Sequence, residues 1–204
     1  IMKHFIEDEV KVRNDLLTER EKQLISLVSL VCQQSDVMLK TQTEQALAAG
    51  VTPVEIKEAV YHCSPYIGFP RAVDAAALVD QVLLEQGVEL PLESQARVTG
   101  ETRFEEGLNA QATIFGDFMR QAAAAGPEHM PASSYYLVSN CFGDYYTRCG
   151  LDLATREMLT LSMLVNLGTE SQIKSHISGN VNMGRDKEFQ VFADGEGKVE
   201  CHIL

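Results

Sequence analysis

Residues 155–184 read "TREMLTLSMLVNLGTESQIKSHISGNVNMG". Apolar residues recur at helical spacing on both sides of Asn166-Leu167-Gly168, so the stretch predicts two amphipathic helices joined by a tight turn. Gly168 and Gly184 are the expected stop residues. Glu157 stands near the start and His176 nineteen positions later. On one continuous helix those residues would lie about 28 Å apart along the axis and could not cooperate. A turn at Leu167-Gly168 folds the second helix back, and the two side chains then meet. The bland alternative treats Glu157 as a first-turn acid favoured by the helix dipole and His176 as a residue of a solvated face.

The same pattern occurs earlier without the ionisable groups. Shifting the chain by 134 positions places Leu17 on Leu151, Lys22 on Arg156, Leu24-Ile25 on Met158-Leu159, Leu27 on Leu161, Leu30 on Leu164, Val31 on Val165 and Gly50 on Gly184. Agreement through two helices and a stop glycine indicates duplication of a helical unit. Glu157 falls on Gln23 and His176 on Gln42. The first copy therefore keeps the scaffold and the second carries the charges.

Helix signals dominate elsewhere. Thr18 with Glu21, Thr52 with Glu55, and Thr102 with Glu105 have capping-box spacing, and Pro53 suits a first helical position. Ser35 is a further expected cap. "SPYIGFP" breaks the pattern, and Pro70 opens a helix that stops at Gly87. "VELPLESQARVTG" reads as a connector. Gly107 and Gly116 argue against one unbroken helix after it. The tail, "EFQVFADGEGKVECHIL", alternates in the manner of a short β-hairpin.

The 204 residues carry a net charge of −12, with 45% apolar and 23% charged residues. No basic stripe supplies phosphate contacts, which argues against nucleic acid. No run reaches the roughly 20 apolar residues of a membrane span. Five cysteines without paired spacing (Cys32, Cys63, Cys141, Cys149, Cys201) favour reduced thiols and a cytoplasmic setting. His4, His129 and His202 lack ligand spacing, so no metal is expected. His62 and Cys63 are helix neighbours pointing about 100° apart and read as structural. Tyr145, Tyr146 and Arg148 precede the second copy, and Arg148 suits a substrate carboxylate.

The chain resembles the carboxymuconolactone decarboxylase family, which includes the alkyl hydroperoxidase D proteins. The resemblance rests on "LTEREKQLI", "ALAAGVTPVEIKEAVYHCSPYIGFPRAVDAA", "NCFGDYYTRCGLDLATREMLTL" and "IKSHISGNVNMG". It implies an all-α fold of duplicated helical-hairpin units and a homo-oligomer. The expected organisation is a first copy with a degenerate site over residues 1–97, a connecting helical segment over 98–134, and a second copy carrying the Glu/His site over 135–204. The peroxidase branch carries Glu-x11-Cys-x2-Cys-x3-His. From Glu157 the matching positions are Thr169, Gln172 and His176, so both cysteines are absent, and Thr169 with Gln172 has capping-box spacing instead. After Gly184 the sequence no longer follows the first copy.

The resemblance implies a cofactor-free lyase for a small carboxylated lactone, with His176 and Glu157 catalytic and Arg148, Tyr145 and Tyr146 at the substrate. A thiol-dependent antioxidant enzyme and a non-catalytic small-acid binder are the alternatives.

Overall fold

A computed structural model describes residues 17–185 and, beyond them, the backbone of residues 192–193 and 199–200. The fold is all-α. The first copy contains α1 (Glu19–Gln33), α2 (Asp36–Ala48), α3 (Pro53–His62), the single turn α4 (Ser64–Ile67) and α5 (Phe69–Glu85). The connector leads to α6 (Arg103–Phe115), α7 (Phe118–Ala122) and α8 (Ala132–Tyr136). A π-helical segment, Leu137–Tyr146, precedes α9 (Leu153–Leu167) and α10 (Glu170–Asn182). Phe192–Ala193 pairs antiparallel with Val199–Glu200; the rest of the expected hairpin lies outside the described residues.

The duplication extends to the bounds of the elements. Adding 134 to α1 gives 153–167, the range of α9, and adding it to α2 gives 170–182, the range of α10. Each first helix ends on a left-handed residue, Gln34 (φ 55°) or Gly168 (φ 68°), and Gly50 and Gly184 share φ near 85°. The two hairpins pack through α1 and α9, where Gln33 Nε2 donates to Asn166 Oδ1 (2.9 Å) and Asn166 Nδ2 to Ser29 Oγ (3.2 Å). The main core lies between them and includes Leu24, Leu27, Val28, Ile56, Val60, Val79, Met158, Leu159 and Met163, all fully buried.

The caps at Thr18 and Thr52 form as the sequence predicts, each with its glutamate in a complete box. Three others do not. Ser35 and Thr169 adopt ψ of 77° and 79° because the preceding left-handed residue turns the chain tightly, and neither hydroxyl caps its helix. Thr102 pairs with Thr99 rather than Glu105: Thr99 N donates to Thr102 Oγ1 (2.9 Å) and Thr102 N to Thr99 Oγ1 (3.3 Å). The expected break occurs at Gly116, not Gly107. Gly107 serves close packing: a Cβ there would stand 2.0 Å from Val138 O, and one on Gly143 would stand 2.2 Å from Arg103 O. Helix α6 and the π-helical segment thus touch backbone to backbone. The end of α6 lies on α10, where Asn182 Nδ2 donates to Ile114 O (2.9 Å).

Candidate functional site

Helix α9 begins at Leu153 behind the cap Asp152, whose carboxylate accepts from Thr155 N (2.7 Å). Glu157 is therefore in the second turn rather than the first. Its side chain is fully buried and sits past the first turn, so the first-turn dipole reading fails; the solvated-face reading of His176 fails on that residue's own burial. His176 comes from α10, with its side chain 8% exposed. Its Nδ1 lies 2.7 Å from Glu157 Oε1. Asn180, one turn on, clamps both backbones: its Nδ2 donates to His176 O (2.8 Å) and Glu157 O (3.1 Å). The Phe115 ring meets the imidazole edge-on at 5.3 Å. Gly179 leaves the space that Glu157 fills, since a Cβ there would stand 2.3 Å from Glu157 Oε1.

Behind the carboxylate runs a buried polar chain. Tyr146 donates its hydroxyl to Glu157 Oε2 (3.0 Å) and lies 2.6 Å from Thr160 Oγ1. Thr160 is also 3.0 Å from Tyr66 Oη and 3.0 Å from His62 Nε2. Tyr66 lies 3.2 Å from Tyr146, and the Cys141 thiol donates to Tyr66 at 3.7 Å. Burial holds the Tyr146 and Tyr66 phenols well above the ordinary tyrosine range. Burial, reinforced by the Arg156 charge, holds His62 well below the ordinary histidine range. His62 is thus neutral at pH 7, and its Nδ1 has no partner.

The sequence-expected residues divide. Glu157, His176 and Tyr146 come together. Tyr145 is half-buried outside this chain, its phenol raised by burial. Arg148 points to Glu58, with Nε at 2.9 Å and Nη2 at 2.8 Å from its carboxylate. Arg156 Nη2 donates to the same carboxylate (2.9 Å). The carboxylate partner expected for Arg148 is therefore first of all one of the protein's own. Arg148 nevertheless borders two clefts. One, of about 550 Å³, lies between α6 and residues 146–153 and is bordered by Asn109, Thr113 and Tyr146. The other, of about 460 Å³, is bordered by Lys57, Glu58 and Tyr61.

Sequence reasoning missed Tyr66, Thr160, Asn180 and Gly179, and read His62 as structural. His62 and Tyr66 lie 98 and 94 positions from Thr160. They belong to α3 and α4 of the first copy, yet they wall the site of the second. Other contacts also join the copies: Arg185, just past Gly184, donates to Glu21 on α1 (2.7 Å), and the first copy's Val54 and Glu58 crowd Gly150 ahead of α9. By the same 134-position relation, Gln23 and Gln42 are the first copy's counterparts of Glu157 and His176. There Gln42 Nε2 donates to Gln23 Oε1 (2.5 Å), reproducing the histidine–glutamate contact with amides.

The sequence profile of the carboxymuconolactone decarboxylase family matches residues 2–81 and 131–189, one segment in each copy and more than half of the chain. The chain belongs to that family. No curated protein matches it. Family membership and the two-segment match agree with the duplicated all-α architecture. Among the described residues no three His, Cys, Asp or Glu side chains converge as a metal site, and no described helix is long and apolar enough to cross a membrane.

Proposed function

We propose that this carboxymuconolactone decarboxylase family member is a cofactor-free lyase for a small carboxylated lactone, with Glu157 and His176 as its acid/base pair. The supporting observation is the 2.7 Å contact between a fully buried glutamate and a histidine that retains a sliver of exposure. With Nδ1 held by the carboxylate, Nε2 is the nitrogen left for a substrate. In the reaction, the bond from the lactone ring to its carboxyl carbon breaks and carbon dioxide leaves. The electron pair enters the conjugated lactone carbonyl, and the resulting dienolate takes a proton from His176 Nε2. Glu157 stabilises the imidazolium before transfer and keeps the ring oriented after it. Arg148 borders the 550 Å³ cleft, which is linked to the pair through Tyr146 rather than lined by Glu157 or His176; it is the proposed anchor for the carboxylate, and Tyr145 a proposed neighbour.

The test is turnover of a panel of carboxylated lactones. His176→Gln should abolish it and Glu157→Gln should reduce it by about 10²-fold or more. Both variants should stay folded, because Gln42 and Gln23 already occupy the matching places. Full activity in either variant rejects the assignment.

A thiol peroxidase is the weaker reading. Thr169 and Gln172 replace its cysteines, and burial pushes the Cys32 and Cys141 thiols up to about 12. A peroxide assay with a thiol reductant should give no turnover. The low exposure of His176 favours one further reading, a non-catalytic binder of a small acid. We also propose a cytoplasmic homo-oligomer, supported by the exposed Val37, Phe69, Val73 and Leu84; light scattering should return more than the monomer mass.

A further inference from the structure

We infer that Tyr146, Thr160 and His62 are positioning residues, a one-way chain of hydrogen bonds that sets how strongly Glu157 holds the His176 proton. The direction follows from the partners. His62 Nε2 lies 3.2 Å from Arg156 O. A backbone carbonyl only accepts, so Nε2 is the protonated nitrogen of that neutral ring. That single hydrogen is shared between Arg156 O and Thr160 Oγ1 (3.0 Å). At the other end, Tyr146 gives its only hydrogen to the Glu157 carboxylate. The 2.6 Å contact between Tyr146 and Thr160 then requires Thr160 to donate. With the Thr160 hydrogen spent, Tyr66 donates into the Thr160–Tyr146 pair, and the Cys141 thiol donates to Tyr66.

Each hydrogen in the chain points toward Glu157, which receives Tyr146 on one oxygen and His176 on the other. Such a chain supports an ionised carboxylate, since hydrogen bonds to the charged form favour it. It also moderates the carboxylate: charge shared with the Tyr146 hydroxyl is withdrawn from the bond to His176. The titratable and charged groups facing the Glu157–His176 pair or its hydrogen-bonded chain are Tyr146 and Cys141 from the π-helical segment, Tyr66 from α4, His62 from α3 and Arg156 from α9. The chain ends at His62 Nδ1, which is buried without a partner. It has no outlet to solvent there, so it orients and polarises rather than conducting protons.

The inference extends the proposed acid/base roles, but its test needs no substrate. In protein labelled with ¹⁵N-histidine, His176 should show the Nδ1–H tautomer when neutral and His62 the Nε2–H tautomer throughout. Tyr146→Phe removes the competing donor. The Glu157 carboxylate then accepts more strongly from His176, and the His176 Nδ1–H proton resonance should move downfield. Thr160→Val should move it less, and Thr160→Ser should keep it at the wild-type position. An unchanged resonance in both Tyr146→Phe and Thr160→Val, in variants whose amide spectra remain dispersed, overturns the inference. So does an Nδ1–H tautomer at His62. If the shifts occur but no lactone is turned over, the proposed reaction fails while the positioning chain stands.

Discussion

Gly179→Ala isolates the packing that makes the site. A single methyl is added, and on an interior helix position that change ordinarily stabilises by roughly 0.5–1 kcal/mol. Here the methyl carbon would stand 2.3 Å from Glu157 Oε1, 3.0 Å from its Cδ and 2.9 Å from Ile114 Cγ2, against ordinary contact from 3.4 Å upward. The carboxylate must therefore withdraw by about 1 Å, or α10 must move away from α9. Either response stretches the 2.7 Å contact with His176 beyond the roughly 3.2 Å limit of a good hydrogen bond. Overpacking of this kind costs about 1–3 kcal/mol, and loss of a hydrogen bond to a charged group about 1.5–3 kcal/mol. After the helix gain, a net destabilisation of about 1.5–5.5 kcal/mol is expected, measured by urea unfolding. The tautomer of His176 should change in the ¹⁵N spectrum, and any lactone turnover should fall by about 10²-fold, the typical effect of a 1 Å misplacement. A variant more stable than wild type with an unchanged His176 spectrum would refute the reasoning.

His62 is held neutral in the fold while its unfolded counterpart takes a proton near the ordinary histidine value of 6.5. The unfolded chain binds the extra proton, so stability rises with pH through that range and is lost on acidification. Between pH 7.5 and 5.5 the His62 contribution should fall by about 1.4 kcal/mol, and His62→Asn should flatten that slope in urea titrations. Equal slopes would sink the assignment. Glu58→Gln leaves buried Arg156 and half-covered Arg148 without their shared carboxylate; a loss of about 3–5 kcal/mol is expected in the same assay. Gly107→Ala meets Val138 O at 2.0 Å, a backbone atom that cannot rotate away. It should separate α6 from the π-helical segment, lowering stability by about 1–3 kcal/mol or more and changing the near-ultraviolet dichroism of the neighbouring aromatics.

What could be read in the sequence was local or repeated. The hairpins, their stop glycines and the boxes at Thr18 and Thr52 each rest on residues within a few positions, and the 134-position shift located the second hairpin to the residue. The glutamate–histidine meeting followed from one turn. The failures have a common physical origin in tertiary context. Ser35 and Thr169 have the right side chains for caps, but the left-handed residue before each sets a ψ that the hydroxyl cannot use. Arg148 is suited to a carboxylate and finds one, although Glu58 stands 90 positions away. Thr160 and Tyr66 carry no motif and acquire a role only because α3 and α4 pack across the copy boundary. The segment holding His62 and Tyr66 was nonetheless one of the four stretches that carry the family resemblance.

The crossing of α3 and α4 onto the other copy has a consequence for how such a chain can evolve. In a symmetric homodimer every substitution appears in both sites at once, and neither can be altered alone. Once two copies are joined in one gene, that bond is broken. With His62 and Tyr66 supplied by the first copy, the genetic address of the wall differs from that of the pair it covers. The first copy can stand without charges of its own, as Gln23 and Gln42 show, and still be held by selection for what it adds around Glu157 and His176.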